Sequence, residues 1–341
     1  MRKHLRLLTV VFSAFIIALA LSGCTSPTSR EGGSQKKVIY TTFFPVHDLT
    51  SRIVGDKMDV KTIITGDQEP HDFELKTQDM AKITEADLVI YNGSGMESFI
   101  DSLKESAQDD SKFLDLSAGL TLLEGGAHSH HDHDHDADDH DADDHDHDAD
   151  HADKNHDHDA HDHDHGSVNP HTWLSIKNAV IELDTIYHKV AEIDPANADY
   201  YKKNLETAER EFKALDEKFE AKLSQVPAEK RMFVVSHAAF NYLAHDYGLK
   251  QVAVTGISPE DEPTAAQLAT ISDFIKTHGI NTIFFEGKAT PKVAETLAAS
   301  AGAKTSTLYT MESLTEDEAN LGYLTLMERN LDALMGSFDG I

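Results

Sequence analysis

Apolar and polar positions along this chain fall into two periods. Short runs of β-branched and aromatic residues at 38–40, 58–64 and 88–91 read as strands. Between and after them, residues 44–55, 77–86 and 96–106 place apolar side chains every three or four positions, the spacing of a helix with one buried face. A second series follows the same order. It has strands at 232–235, 251–254, 282–285 and 305–308, helices at 238–247, 264–278 and 291–301, and a closing helix at 323–335. Strands that alternate with helices build a parallel sheet covered by those helices. The pattern predicts an α/β protein of two parallel-sheet lobes. The first covers 38–125 and is completed by 168–194; the second covers 226–341.

A different pattern lies between the two series. A helix starting after Asn169-Pro170-His171-Thr172-Trp173-Leu174 runs to about residue 192, where Asp194-Pro195 breaks it. A second helix then takes residues 196–223, with Tyr201, Leu205, Ala208, Phe212, Leu215, Phe219 and Leu223 on one face. At 1.5 Å per residue such a helix reaches roughly 40 Å. The segment 195–225 is therefore expected to be a long rigid central helix joining the lobes.

The tract 126–167 belongs to neither pattern. Between His128 and His165 it holds fourteen of the chain's 22 histidines: His128, His130, His131, His133, His135, His140, His145, His147, His151, His156, His158, His161, His163 and His165. Sixteen aspartates and one lysine accompany them, so the tract carries half of the chain's formal charge of −30. With no apolar residue larger than alanine it cannot build a core, and the reading is a disordered loop. Neutral imidazole with carboxylate suits a borderline cation such as Zn²⁺. An acidic loop kept for solubility would need the aspartates but not the histidines. We therefore expect an auxiliary, low-affinity metal-collecting segment.

The amino terminus reads as a targeting segment. Arg2, Lys3 and Arg6 precede an apolar stretch at 7–21 that is short for a membrane span. Leu21-Ser22-Gly23-Cys24 resembles a bacterial lipobox. That resemblance implies a signal peptide over 1–23, cleavage before Cys24 and lipidation of its sulfur, with 24–37 a polar tether. Cys24 is the only cysteine, which excludes an internal disulfide and a thiolate metal site. Strong acidity argues against nucleic acid and anionic lipid surfaces as partners.

Three residues share one kind of position. His71, His237 and Glu286 each follow a predicted strand, and ligands of open α/β sheets bind just beyond the carboxyl ends of strands. His171 stands at the start of a helix. Sequence order places His71 and His171 in or beside the first lobe, and His237 and Glu286 in the second. Three imidazoles and one carboxylate split across an inter-lobe cleft would make a tetrahedral site suited to Zn²⁺. His47 and His245 fall within helical patterns and are expected to be partly buried and hydrogen-bonded. His188 and His278 read as surface positions.

The words around these residues carry a resemblance. Gln68-Glu69-Pro70-His71-Asp72-Phe73-Glu74, Asn169-Pro170-His171-Thr172-Trp173-Leu174, Val235-Ser236-His237-Ala238-Ala239-Phe240-Asn241-Tyr242 and Phe284-Phe285-Glu286 resemble, in order, the metal-site motifs of the zinc-type solute-binding lipoproteins of bacterial ABC metal uptake systems. An acidic His-rich insertion before the second motif is typical of the zinc members. The resemblance implies two α/β lobes joined by one long helix, and His71, His171, His237 and Glu286 as metal ligands. Some members complete the site with water or another carboxylate, and Glu69 is the alternative fourth ligand here. Manganese-type relatives are expected to have two histidines and two carboxylates, so His237 favours zinc.

The function that follows is high-affinity capture of Zn²⁺ as transported ligand, by a lipid-anchored monomer on the extracytoplasmic face of the cell membrane. Delivery would be to an ABC permease driven by its ATPase, with no enzymatic activity. The competing readings are a manganese-binding protein of the same transport class, a zinc-dependent hydrolase and a surface adhesin. A hydrolase would need an open water position beside three protein ligands. The sequence offers no HExxH.

Overall fold

The computed structural model describes residues 36–66, 68–125, 168–286 and 291–338. Strands β1 (Val38–Thr41), β2 (Asp59–Thr62), β3 (Leu88–Tyr91) and β4 (Phe113–Asp115) form one sheet in the order β2-β1-β3-β4, with every pair parallel. Strands β5 (Met232–Val235), β6 (Lys250–Ala253), β7 (Thr282–Phe285) and β8 (Lys304–Thr307) form a second parallel sheet in the order β6-β5-β7-β8. The two sheets repeat one topology: the chain steps to one side of the first strand, then crosses to the other. Such a reversal opens a crevice beyond the carboxyl ends of the strands.

The central strands show why the sequence pattern is continuous rather than alternating. All four residues of β3 are buried, as are Phe233, Val234 and Val235 of β5, because helices cover both faces of a parallel sheet. The first lobe carries α1 (Phe44–Val54), α2 (Thr77–Thr84) and α3 (Ile100–Ala107). The second carries α6 (Asn241–Tyr247), α7 (Ala265–His278) and α8 (Pro291–Ala301), followed after β8 by the short α9 (Glu316–Ala319) and by α10 (Tyr323–Phe338).

Between the lobes run α4 (Ile176–Ile193) and α5 (Ala198–Leu223), separated by a 3₁₀ turn that starts at Pro195. They pack along one another and both rest on α1. The seven apolar residues expected on one face of α5, from Tyr201 to Leu223, are its buried residues. Near its start Asn204 donates to the Ile53 carbonyl of the first lobe at 2.9 Å. Further along, Phe212 stacks on Tyr323 at 5.1 Å, and Asp216 accepts from the Tyr247 hydroxyl of the second lobe at 2.7 Å. One helix thus grips both sheets. A single apolar core runs through both lobes, and a smaller one lies beneath α7 and α8 around Val234, Ile275, Ile283 and Leu297.

Details differ from the sequence pattern, these among them. Strand β4 is three residues long, too short to show a period, and is held by its register with β3. Helix α6 begins at Asn241 rather than 238, because residues 237–240 form a turn. His245, expected to be partly buried, keeps a side chain 68 % exposed on the outer face of α6. His47 is held as expected, with Nδ1 3.0 Å from Thr62 Oγ1.

Candidate metal centre

Four segments converge where the strands of the two sheets end. His71 lies in the loop after β2, its amide donating to Glu69 Oε1 at 3.3 Å. His171 precedes a 3₁₀ turn, Thr172–Leu174, that leads into α4. The Asn92 side chain brackets it, donating to the Pro170 carbonyl at 2.8 Å and accepting from Thr172 Oγ1 at 2.9 Å. His237 stands two residues beyond β5. Glu312 arrives from the connection after β8, next to Met311, whose φ of +65° is left-handed backbone that a bulky residue adopts only when its surroundings impose it. Those surroundings are visible. Trp173 Nε1 donates to the Thr310 carbonyl at 2.7 Å, the Leu314 amide donates to the Gly66 carbonyl at 3.2 Å, and the Asn330 amide group spans Tyr309.

One ligand atom from each of His71, His171, His237 and Glu312 lies within 4.8 Å of the others. The Nε2 atom of His171 is 3.3 Å from that of His71 and 3.2 Å from that of His237. Glu312 Oε1 is 2.8 Å from His171 Nε2 and 3.4 Å from His71 Nε2, and its Oε2 is 3.6 Å from His237 Nε2. A tetrahedral zinc ion with bonds of about 2.0–2.1 Å has ligand–ligand edges of about 3.3–3.4 Å. The spacings from His171 to the other two rings match edges of that polyhedron. The side chains of His171 and His237 are fully buried and Glu312 is 1 % exposed, while His71, at 11 %, is the member that reaches solvent.

Outer hydrogen bonds settle which ring nitrogens face inward. Asn169 Oδ1 accepts from the His171 amide at 3.0 Å and lies 2.8 Å from its Nδ1, so Nδ1 is the donor and Nε2 keeps its lone pair. His237 Nδ1 meets the Glu286 carboxylate, which Ser236 Oγ also holds. Both oxygens of Glu312 are buried without a hydrogen bond of good geometry. Lone pairs and an unsatisfied buried carboxylate pointing at one another call for a cation between them.

Electrostatics agree. Burial holds the His171 pKa down to about 4, so this ring is neutral. Burial also disfavours charge on His237, but the carboxylates of Glu286 and Glu312 outweigh it and raise its pKa well above the ordinary value. Burial would raise the Glu312 carboxyl, yet the surrounding imidazoles hold it well below the usual carboxylate range. Behind the His171 segment, burial pushes the Glu182 carboxyl up to about 8; Thr172 Oγ1 lies 3.2 Å from it.

The expected ligand set is thus brought together except for its carboxylate. Glu312, not Glu286, joins the three imidazoles. In the parallel pairing of β5 with β7, Val235 faces Phe284; continuing that register brings Glu286 level with His237, against its outer nitrogen. Glu69 lies at the rim, its carboxyl pushed up to about 7 by burial and by the Glu312 charge. Glu312 follows β8 as His237 follows β5, but it stands five residues beyond the strand and no neighbouring histidine marks it. Cys24 and the fourteen histidines from His128 to His165 lie outside the described residues. The ends of that tract are joined: Glu124 and Val168 form an antiparallel bridge, and the Asn169 amide donates to the Leu123 carbonyl at 2.8 Å.

Known proteins share this architecture. The family described as zinc-uptake complex component A, periplasmic (ZnuA), matches residues 39–336. The high-affinity zinc uptake system protein ZnuA of Bacillus subtilis is 37 % identical over 333 residues, covering 97 % of this chain and 96 % of that protein. The zinc-binding lipoprotein AdcA of Streptococcus pneumoniae serotype 4 is 35 % identical over 329 residues, 96 % of this chain and 60 % of the relative. The crystal structure of the Zn(II)-bound ZnuA-like domain of Streptococcus pneumoniae AdcA superposes with a TM-score of 0.70 at 32 % identity, covering 89 % of this chain and all of that domain.

Proposed function

Since the chain belongs to the family of periplasmic zinc-uptake component A proteins, we propose that it captures Zn²⁺ outside the cytoplasm with high affinity and hands it to an ABC permease. The observation that carries this reading is the buried convergence of three imidazoles on the Glu312 carboxylate, with His171 Nε2 at zinc-site edge lengths from both other rings. Three nitrogens and one oxygen suit zinc better than manganese, which favours oxygen donors. Glu312 fills the fourth position, so the site is closed and holds no open place for an activated water. That supports a binding protein over a hydrolase.

The finer parts of the reading have separate supports. The Streptococcus pneumoniae relative is named a lipoprotein, in keeping with Cys24 as a lipid-anchored residue at the membrane face. Val168, paired with Glu124, stands three residues before His171, so ions held weakly by the histidines between 128 and 165 would be concentrated beside the closed site. The protein would act as a monomer, since all four ligands come from one chain.

Calorimetric zinc titration of the chain from Thr25 tests the reading in three forms: intact, lacking 128–165, and lacking that tract with His71, His171 and His237 changed to Ala. One tight site should survive removal of the tract and vanish in the triple variant. Tight binding lost with the tract alone would refute it.

A further inference from the structure

Asn169 sits between three things: the ligand His171, the turn that carries ligand His237, and the paired ends of the His/Asp tract. It is fully buried, and each of its polar groups has a partner. Its amide donates to the Leu123 carbonyl at 2.8 Å, and its carbonyl accepts from the Tyr242 hydroxyl at 2.8 Å. Its side-chain Oδ1 takes both the amide and Nδ1 of His171, at 3.0 and 2.8 Å. Its Nδ2 donates at 2.7 Å to the carbonyl of Ala238, the residue after His237.

The orientation of the side-chain amide follows from its neighbours. A backbone N–H on one side demands an oxygen there, and a backbone carbonyl on the other demands the NH₂ group. Oδ1 therefore faces His171 and accepts the Nδ1 proton. The tautomer of His171 is fixed before any ion arrives, with Nε2 open toward Glu312. A ring free to exchange tautomers would spend part of its time with a proton where the metal must bind. Through Nδ2 the same side chain pins the turn of the second lobe to the segment of the first. The 3.2 Å separation of the His171 and His237 Nε2 atoms is thus braced from behind.

We propose that Asn169 is a positioning residue for metal binding: it locks the His171 tautomer through Oδ1 and sets the His171–His237 spacing through Nδ2. This differs from what Glu286 does at His237, because a neutral amide orients its ring without adding charge. The inference rests on the zinc-binding reading for its affinity arm, and it has a second arm that needs no metal.

The test uses the full chain with Asn169→Ala, Asn169→Asp and Tyr242→Phe. Tyr242→Phe removes the hydroxyl that bonds the Leu123 amide and the Asn169 carbonyl, and leaves the Asn169 side chain alone. Long-range ¹⁵N–¹H spectra of the metal-free proteins report the His171 tautomer, and competition with a chromophoric chelator reports zinc affinity. In Asn169→Ala the His171 nitrogens should move from a pure Nδ1–H pattern to an averaged one, and zinc affinity should fall about 10–100-fold, the usual cost of losing an outer partner of a ligand histidine. Asn169→Asp keeps the acceptor and should restore the Nδ1–H pattern with part of the affinity. Tyr242→Phe should change neither by more than about threefold.

An unchanged His171 pattern in Asn169→Ala, or zinc affinity within twofold of the parent, would overturn the proposal. So would an equal loss in Tyr242→Phe, which would assign the effect to loop integrity. If the alanine variant does not fold, Asn169→Asp still decides: the His171 Nδ1–H resonance must shift downfield as its acceptor becomes anionic, and an unmoved resonance sinks the idea. A parent that binds no zinc would refute the functional reading while leaving the tautomer arm intact.

Discussion

Glu286 and His237 stand just past the ends of neighbouring parallel strands and meet side by side, the Glu286 carboxylate on His237 Nδ1. The opposite nitrogen of the same ring faces Glu312 at 3.6 Å. One imidazole thus stands between two carboxylates of different office: one orients it, and in the proposed site the other would share the ion with it.

Substitutions at the two glutamates should separate these offices. Glu286→Gln keeps a hydrogen-bonding group beside Nδ1 and should weaken zinc binding about 10–100-fold. Glu312→Ala removes a donor atom and should cost at least about tenfold more than that. In the Co²⁺-substituted protein, Glu286→Gln should retain the intense visible bands of a tetrahedral site and Glu312→Ala should lose intensity as water enters. The reverse ranking would return Glu286 to the ion.

Zinc must displace the proton on His237. The His237 pKa is raised well above its ordinary value by Glu286 and Glu312 despite burial, so at neutral pH the metal-free ring is charged. His171, held down to about 4, contributes no proton there. Binding should release at least about one proton, from this ring and from His71, whose burial is outweighed by Glu312 so that its pKa is raised, and affinity should fall about tenfold or more per unit as pH drops below the His237 pKa. Calorimetry of the protein lacking 128–165, in buffers of different ionisation enthalpy, counts the protons directly. A count near zero at pH 7 would contradict the charged ring.

Glu182 makes folding itself depend on pH. Its folded pKa of about 8, raised by burial, exceeds the ordinary carboxylate value. Between the two values the folded chain holds a proton that the unfolded chain has released. Stability is therefore present below the unfolded value and falls as pH rises toward about 8. Glu182→Gln should flatten that decline and stabilise the protein at pH 8 by on the order of 1–3 kcal/mol. Urea unfolding of metal-free protein at pH 5, 6.5 and 8 measures it; parallel curves for parent and variant would count against the neutral carboxyl.

The central helix should be costly to damage. Phe212 is fully buried, stacks on Tyr323 and lies beneath the Arg52 guanidinium. Phe212→Ala should destabilise by about 3–5 kcal/mol. A loss below about 1 kcal/mol in chemical denaturation would mean that the cavity collapses cheaply and that the strut bears little.

The fold was legible where burial writes a continuous signal. Leu88–Tyr91, Met232–Val235 and Thr282–Phe285 are four-residue runs of apolar and β-branched residues, and each is a strand to the residue. The seven-residue stripe on α5 is equally plain, since every third or fourth position meets a core. The histidines of the cluster were legible because His71 and His237 follow strands and His171 opens a helix, positions beside the crevice where ligands of α/β sheets bind. Its carboxylate was not. Asp and Glu number 60 in this chain, so an acidic residue after a strand carries little information by itself. What selects Glu312 is the left-handed Met311 and the grip of Trp173 on Thr310, both tertiary facts. What moves Glu286 aside is the register of β5 with β7, which no single strand reveals.

The bonds from Trp173 to Thr310 and from Leu314 to Gly66 have a mechanical consequence. Glu312 belongs by chain order to the second lobe, but both flanks of its segment are moored to first-lobe loops, beside the two residues His171 and His71. The carboxylate is in effect on loan across the cleft. Three walls of the cage thus rest on first-lobe moorings, and the fourth, His237, is tied to them by the Asn169 bond to the Ala238 carbonyl, so either sheet must break one of these hydrogen bonds before the four side chains can separate.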